Sequence, residues 1–361
     1  MSTLIPAYLD GLKKEMRLVL PGAGVAETIY FGGGTPSILK PEQVGDLLQT
    51  LDGLIGINPT AEITLEANPG TVTLGKLRDL RKLGVNRLSL GIQSFFDSEL
   101  KLLGRIHSAE QARESILESQ QAGCDNISLD FIFGLPGQTL QGWQQNLDQA
   151  LSYGIQHLSL YSLIIEPGTP FERFVAAGQL VLPDDDLVAD MFELAMDFLP
   201  KNGFQQYEIS SWALGTRNES GHNKVYWKNA DYYGLGAGAH GKVGDFRLQN
   251  VPLITDFIQK LDQASDEKAQ FSPALEEKTF IDEKTAMQES VMLGLRLTRE
   301  GISEGEFRSR HQAEMKVVFQ EEIDRILKNG LGEWQSQADG EHLVLTRRGI
   351  MLGNQAFQEF V

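Results

Sequence analysis

The residues of this chain that could do chemistry sit where short apolar runs end. Thr28-Ile29-Tyr30-Phe31 stops at three glycines, Gly32 to Gly34, followed by Thr35-Pro36-Ser37. Bare backbone at Gly33 and Gly34 can approach a ligand closely, at φ values a side chain would forbid. Glu66 closes the next run (EITLE), Gln93 the one after it (NRLSLGIQ), and Asp130 lies within a fourth (NISLDFIF), while Arg105 follows Gln93 by 12 positions. The carboxylates of Glu66 and Asp130 suit ribose hydroxyls or an ammonium, Arg105 suits a carboxylate, and the glycine backbone suits an amino group or a base edge. The set fits a ligand with an adenosine or an amino-acid end. The glycines lack the G-x-G-x-x-G spacing of dinucleotide sites and the G-K-[ST] ending of phosphate loops, which argues against a nicotinamide enzyme or an NTPase.

The elements that must position these residues alternate. Helical spacing of Ile5, Leu9, Leu12 and Met16 opens the chain on a helix. Strands are expected at 28–31, 62–66, 86–92, 126–133 and 157–163, with helices at 41–51, 74–83, 108–123 and 139–151. Ser108 with Gln111 reads as a capping box, and Pro41 as a first-turn proline. Five short strand–helix units predict an α/β fold, a parallel barrel or partial barrel whose ligands bind at the carboxyl ends of the strands. After Pro170 the rhythm changes to a helix at 184–199, one strand at 205–211 and an aperiodic, glycine- and aromatic-rich segment at 219–244. The expected domains are a barrel with its extension over 1–263, a polar linker over 264–282, and a C-terminal domain over 283–361 of three helices and a strand at 342–346. That last domain resembles a small winged-helix module.

At 361 residues and 41% hydrophobic, the chain can bury a large core. Forty-nine acids against 32 bases give a formal charge of −17, which repels phosphate backbones, so no nucleic acid is expected as a partner. No apolar run is long enough for a transmembrane segment and no signal pattern opens the chain, so a cytoplasmic protein is expected. The single cysteine, Cys124, excludes an internal disulfide and any multi-cysteine metal site within these residues.

GGGTPS at 32–37, EANPG at 66–70, LGIQSF at 90–95, GRIHS at 104–108 and LDFIFGLPGQT at 129–139 together resemble the radical S-adenosylmethionine family of HemN and HemW. That family includes oxygen-independent coproporphyrinogen III dehydrogenases and haem chaperones, and the resemblance extends to LTRRG at 345–349. It implies a partial, TIM-like β/α barrel of the radical SAM type with a small, mostly helical C-terminal domain. It also implies that Gly33, Gly34, Thr35, Glu66, Gln93, Arg105 and Asp130 contact S-adenosylmethionine, with Ile164 a further candidate for the same site. Family members carry a first strand with C-x-x-x-C-x-x-C, whose thiolates hold a [4Fe-4S] cluster. The resemblance therefore implies an iron–sulfur, metal-binding protein, yet this chain lacks the motif and the strand that carries it. Either the start was placed too far downstream or the motif is lost; the intact remaining site positions favour the first. From this polypeptide as it stands, no radical chemistry is expected.

GHNKVYW at 221–227 resembles the H-N-x-x-Y-W motif associated with haem binding in HemW-type proteins. His222 is accordingly the expected haem ligand, with the adjacent tyrosine and tryptophan packing on the macrocycle. His240, in GLGAGAHG, is a second candidate. The expected function is that of a haem chaperone, which binds haem and S-adenosylmethionine and delivers haem to an acceptor protein. The alternatives are an oxygen-independent coproporphyrinogen III oxidase acting on a porphyrin precursor, and an inert barrel that binds an adenosyl ligand or a partner protein.

Overall fold

The computed structural model describes residues 2–361. The five expected strands form in order as β1 (Ala26–Phe31), β2 (Ile57–Ala67), β3 (Arg87–Gln93), β4 (Ile127–Phe133) and β5 (His157–Ser162), and each pairs in parallel with the next. A hairpin of β6 (Gln205–Glu208) and β7 (Ser211–Ala213) adds to the β5 edge in antiparallel fashion, giving the order β1-β2-β3-β4-β5-β7-β6. The two ends of the sheet do not pair with each other, so it is an open half barrel.

Side chains alternate across each strand. On the outer face Leu65, Leu88, Leu90, Leu129, Phe131, Leu158 and Leu160 are fully buried. They pack against the flanking helices through Leu80, Ile116, Trp143 and Leu147. Each such leucine contributes roughly 2 kcal/mol through the apolar surface it removes from water. The opening helix, Ile5–Val19, lays Leu9 and Met16 against Leu47 and Leu51 of the Pro41–Ile55 helix. The expected capping box starts the Ala109–Gln121 helix: Gln111 N–H donates to Ser108 Oγ at 3.2 Å and Ser108 N–H to Gln111 Oε1 at 2.9 Å.

Beyond β5 several expectations change. The single strand expected at 205–211 is a hairpin, because Ser210 N–H turns back onto the Glu208 carboxylate at 3.0 Å and Ile209 N–H leaves the sheet to bond Arg296 O. The segment expected to be aperiodic contains the Gly221–Trp227 helix and a strand, β8 (His240–Val243). β8 pairs with β9 (Phe246–Asn250), and β9 with β10 (Leu275–Phe280). β10 lies inside the stretch expected as a linker; most of its residues are exposed, so it carries no apolar alternation for a reader to find.

In the C-terminal region the last of the three expected helices is broken at Phe319 into Met315–Val318 and Gln320–Lys328. The strand expected at 342–346 is β13 (Gly340–Leu345), flanked by β11 (Ile302–Ser303) and β12 (Gly332–Gln337) in the antiparallel order β11-β13-β12. Val291, Phe307, Ile326 and Leu343 form its core.

Candidate functional site

At the carboxyl ends of β1 to β5 the half barrel opens into a cleft of ≈ 530 Å³. Gly33, Gly34, Thr35, Glu66, Gln93, Arg105 and Asp130, the seven positions singled out from sequence, all line it. The turn after β1 brings bare backbone to its edge, with Gly33 at φ +94°. Two non-glycine residues of the cleft, Thr35 at φ +53° and Gln93 at φ +64°, also occupy the left-handed region. That conformation costs a side-chain-bearing residue about 1 kcal/mol or more, and it survives where neighbours hold it. Thr35 is held by Asn68, whose Nδ2 donates to Thr35 Oγ1 at 3.1 Å.

Glu66 projects from β2. The Tyr30 hydroxyl donates to its Oε1 at 2.7 Å and Gly33 N–H to its Oε2 at 3.1 Å. Burial pushes the Glu66 carboxyl above its ordinary range, those two bonds pull it down, and repulsion from Asp130 pushes it up again. Asp130, on β4, accepts from Ser89 Oγ at 2.8 Å and Ser128 Oγ at 3.1 Å. Its carboxyl is likewise raised by burial, against the serine bonds. A carboxylate offers about four acceptor positions, so both retain capacity toward the cleft. Arg105, facing them from the connection after β3, is held by no carboxylate among the described residues, and burial works against its charge. Ile164 is 74% exposed on the lip of the cleft rather than packed in the core.

His222 lies behind this wall. Its ring stacks on Tyr30 with centroids 4.9 Å apart. Nδ1 is 2.8 Å from Thr28 Oγ1 and Nε2 2.8 Å from the Tyr226 hydroxyl. Burial lowers its pKa to about 4, with Glu62 opposing, so the imidazole is neutral at physiological pH. Its helix, Gly221–Trp227, is fixed at the start by the Ser220 side chain and by the Glu62 carboxylate, which accepts from the N–H groups of Gly221 and His222 at 3.0 and 2.9 Å. From that helix Asn223 reaches the cleft, as does Ser220 before it. Trp227 lies under the Arg296 guanidinium, 4.4 Å from the ring centroid. His240 is exposed at the start of β8.

Tyr30, Arg87, Ser89, His157, Ser159 and Tyr161 also line the cleft and were missed from sequence. The signal was present: RLSLGIQ, ISLDFIF and HLSLYS place a polar residue or glycine at nearly every second position, so the strands that read as almost wholly apolar have one polar face.

The iron–sulfur and metal-binding expectation is corrected by these residues. Among the described residues no group of three or more His, Cys, Asp or Glu is placed to hold a metal ion. Cys124 precedes β4, at the end of the sheet away from the cleft, where it packs on the core and burial pushes its thiol up to about 11. A cluster bound by three thiolates does not fit this set. No helix among the described residues is long and apolar enough to cross a membrane.

Residues 8–150 match the family model described as the radical SAM superfamily, and residues 281–352 the one described as the HemN C-terminal domain. A relative from Bacillus subtilis named "Heme chaperone HemW" is 35% identical over 99% of this chain and 92% of its own length. A relative of the same name from Escherichia coli is 42% identical over 60% of this chain and 56% of its own length. Coproporphyrinogen III oxidase (HemN) from Escherichia coli, described as a radical SAM enzyme, superposes on all of this chain and 84% of its own with a TM-score of 0.80 at 22% identity, a likeness of fold.

Proposed function

This chain belongs to the HemW/HemN-like radical S-adenosylmethionine family, and from that premise we propose that it is a haem chaperone, holding S-adenosylmethionine in the cleft and haem at His222 and passing haem to an acceptor protein. The observation that carries the reading is the convergence of seven residues from four successive strands and the connections after them on one cleft, with the His222 helix docked against the back of the same wall.

The donor set fits S-adenosylmethionine. Glu66 and Asp130 offer acceptors to its ammonium and ribose hydroxyls, Arg105 offers a cation to its carboxylate, and the glycine turn offers backbone. When bound, the ligand brings a sulfonium and an ammonium into a cleft whose two carboxylates counter that charge. His222 fits haem in its protonation state, since a neutral imidazole is what a metal takes. Its ring is fixed through Nδ1 by Thr28, and Nε2 becomes free once the Tyr226 hydroxyl lets go. The name of the relatives that this chain matches along most of its length supports chaperone rather than oxidase.

Titration of haem into the protein, followed at the Soret band, tests the reading. The native chain is expected to give a saturable shift, and His222→Ala to weaken binding at least tenfold. An equal shift in the variant would count against His222 as the ligand, and no shift in the native chain would count against the chaperone.

A further inference from the structure

The cleft does not end at the carboxylates. At its foot stands Arg87, the first residue of β3, which is 3% exposed and lines the cavity together with Ser220 and Asn223. Its Nη1 donates to Asn126 Oδ1 at 2.8 Å and to the Asn218 carbonyl at 3.2 Å. Both partners are neutral. Nε and Nη2 bond nothing in the protein, and neither is sealed away from the cavity. Among the described residues no carboxylate comes within ion-pair distance of this guanidinium. Asp130 feels its charge but accepts from Ser89 and Ser128 and not from Arg87, so the two share the cleft without touching.

A buried cation is costly unless an anion pairs with it, and natural interiors rarely keep one alone. Arginine presents a planar fork that matches a carboxylate in two parallel bonds. Here one arm of the fork is anchored, and the other two nitrogens of a residue that lines the cavity have no partner in the protein. The anchoring carbonyl belongs to Asn218, four residues before His222, which sets the cation beside the helix that carries the haem motif.

We propose that Arg87 is a carboxylate-binding subsite at the foot of the cleft, filled by an acidic group of a ligand that reaches past Glu66 and Asp130 into the barrel. Two ligands of the proposed function carry such a group: a tetrapyrrole through its propionates, and S-adenosylmethionine through its single carboxylate, which would then lie at Arg87 in place of Arg105. The identity of the occupant rests on that function; the existence of the subsite does not.

The experiment compares haem with its dimethyl ester, and S-adenosylmethionine with its decarboxylated analogue, on the native chain, Arg87→Gln and Arg87→Lys. Arg87→Gln is expected to weaken free-acid haem at least tenfold while the diester binds all three chains alike, with Arg87→Lys between. A loss confined to S-adenosylmethionine and absent for its decarboxylated form supports the subsite with the amino-acid end as occupant. Equal binding of acid and neutral forms by the native chain, for both ligands, overturns it, and this comparison stands even if Arg87→Gln does not fold. A native crystal soaked in sodium bromide supplies a readout independent of haem: an anomalous peak at the Arg87 guanidinium supports the subsite, and none overturns it. If the native chain takes up no haem at all, the chaperone reading falls, while bromide and the S-adenosylmethionine pair still judge Arg87.

Discussion

Glu15 and Glu66 are both carboxylates taken largely out of water, and burial raises the pKa of each, yet they belong to different kinds of region. Glu15, on the opening helix, is 0% exposed and accepts from Gly236 N–H and Asn250 Nδ2, each at 2.7 Å, and from the Ser272 hydroxyl. Those donors come from three segments more than 200 residues away along the chain, and together they tie the helix to β9 and its neighbours. Glu66 accepts from two donors and keeps the rest of its capacity toward a cleft of ≈ 530 Å³. The two differ in burial, Glu66 being only half-buried, and in what the chain leaves over: three of about four acceptor positions are taken on Glu15 and two on Glu66. A carboxylate enclosed by donors of the chain is a knot, and one with acceptor capacity left toward a cleft is a socket.

The contrast breaks most visibly at the knot. Glu15→Ala strands three buried donors at once, and is expected to cost about 3 kcal/mol of stability, read as a fall in the urea midpoint at unchanged slope. Glu15→Gln, which still accepts, is expected to cost less. The pH dependence has a definite sign: a carboxyl whose folded pKa lies above its unfolded one binds protons more tightly when folded, so its contribution falls as pH rises through the folded value. The native chain should lose part of its stability on that rise, and Glu15→Gln should lose less. A Glu15→Ala chain as stable as the native one would show that the knot does not hold the helix.

At the socket the effects exchange places. Glu66→Gln keeps the shape and an acceptor, and is expected to change stability little. It removes the charge set against a ligand ammonium, and should weaken S-adenosylmethionine about thirtyfold by calorimetry. If Glu66→Gln instead destabilised the fold as much as Glu15→Ala, both glutamates would be knots.

The socket was far more legible in the sequence than the knot. Gly33, Glu66, Gln93 and Asp130 end or interrupt short apolar runs, and in a parallel barrel strand ends share one rim, so position along the chain predicts position in space. Arg87 and His157 lie at the beginnings of their strands and belong to the same cavity only because alternation carries one polar face down each strand. Glu15 gives no local sign, since its partners at 236, 250 and 272 are chosen by the tertiary fold. The hairpin β6–β7 and the exposed strand β10 escaped for a related reason: short or solvated strands need no apolar alternation, and pairing alone defines them.

Tyr30 offers the smallest and finest cut through the comparison. Its ring stacks on His222 and its hydroxyl bonds Glu66 Oε1, so one side chain touches both the proposed haem ligand and the socket. Tyr30→Phe keeps the ring and deletes only the bond. A charge-assisted hydrogen bond of this kind contributes on the order of 1 kcal/mol, so S-adenosylmethionine should bind about fivefold more weakly at neutral pH. The pH profile separates lost orientation from general damage. In the native chain affinity is expected to hold above the raised Glu66 pKa and to fall as pH drops through it, because the ammonium needs the ionised carboxylate. The Tyr30 hydroxyl is one of the two donors that pull that pKa down, so Tyr30→Phe should move the fall to higher pH, whereas Glu66→Gln should lose this dependence altogether. On the proposed reading haem rests on the His222 ring that Tyr30 stacks against and not on the hydroxyl, so haem binding should stay within twofold of native in Tyr30→Phe. A variant that weakened both ligands equally would instead mean that Tyr30 serves the wall as a whole, and that Glu66 is held in place by Gly33 alone.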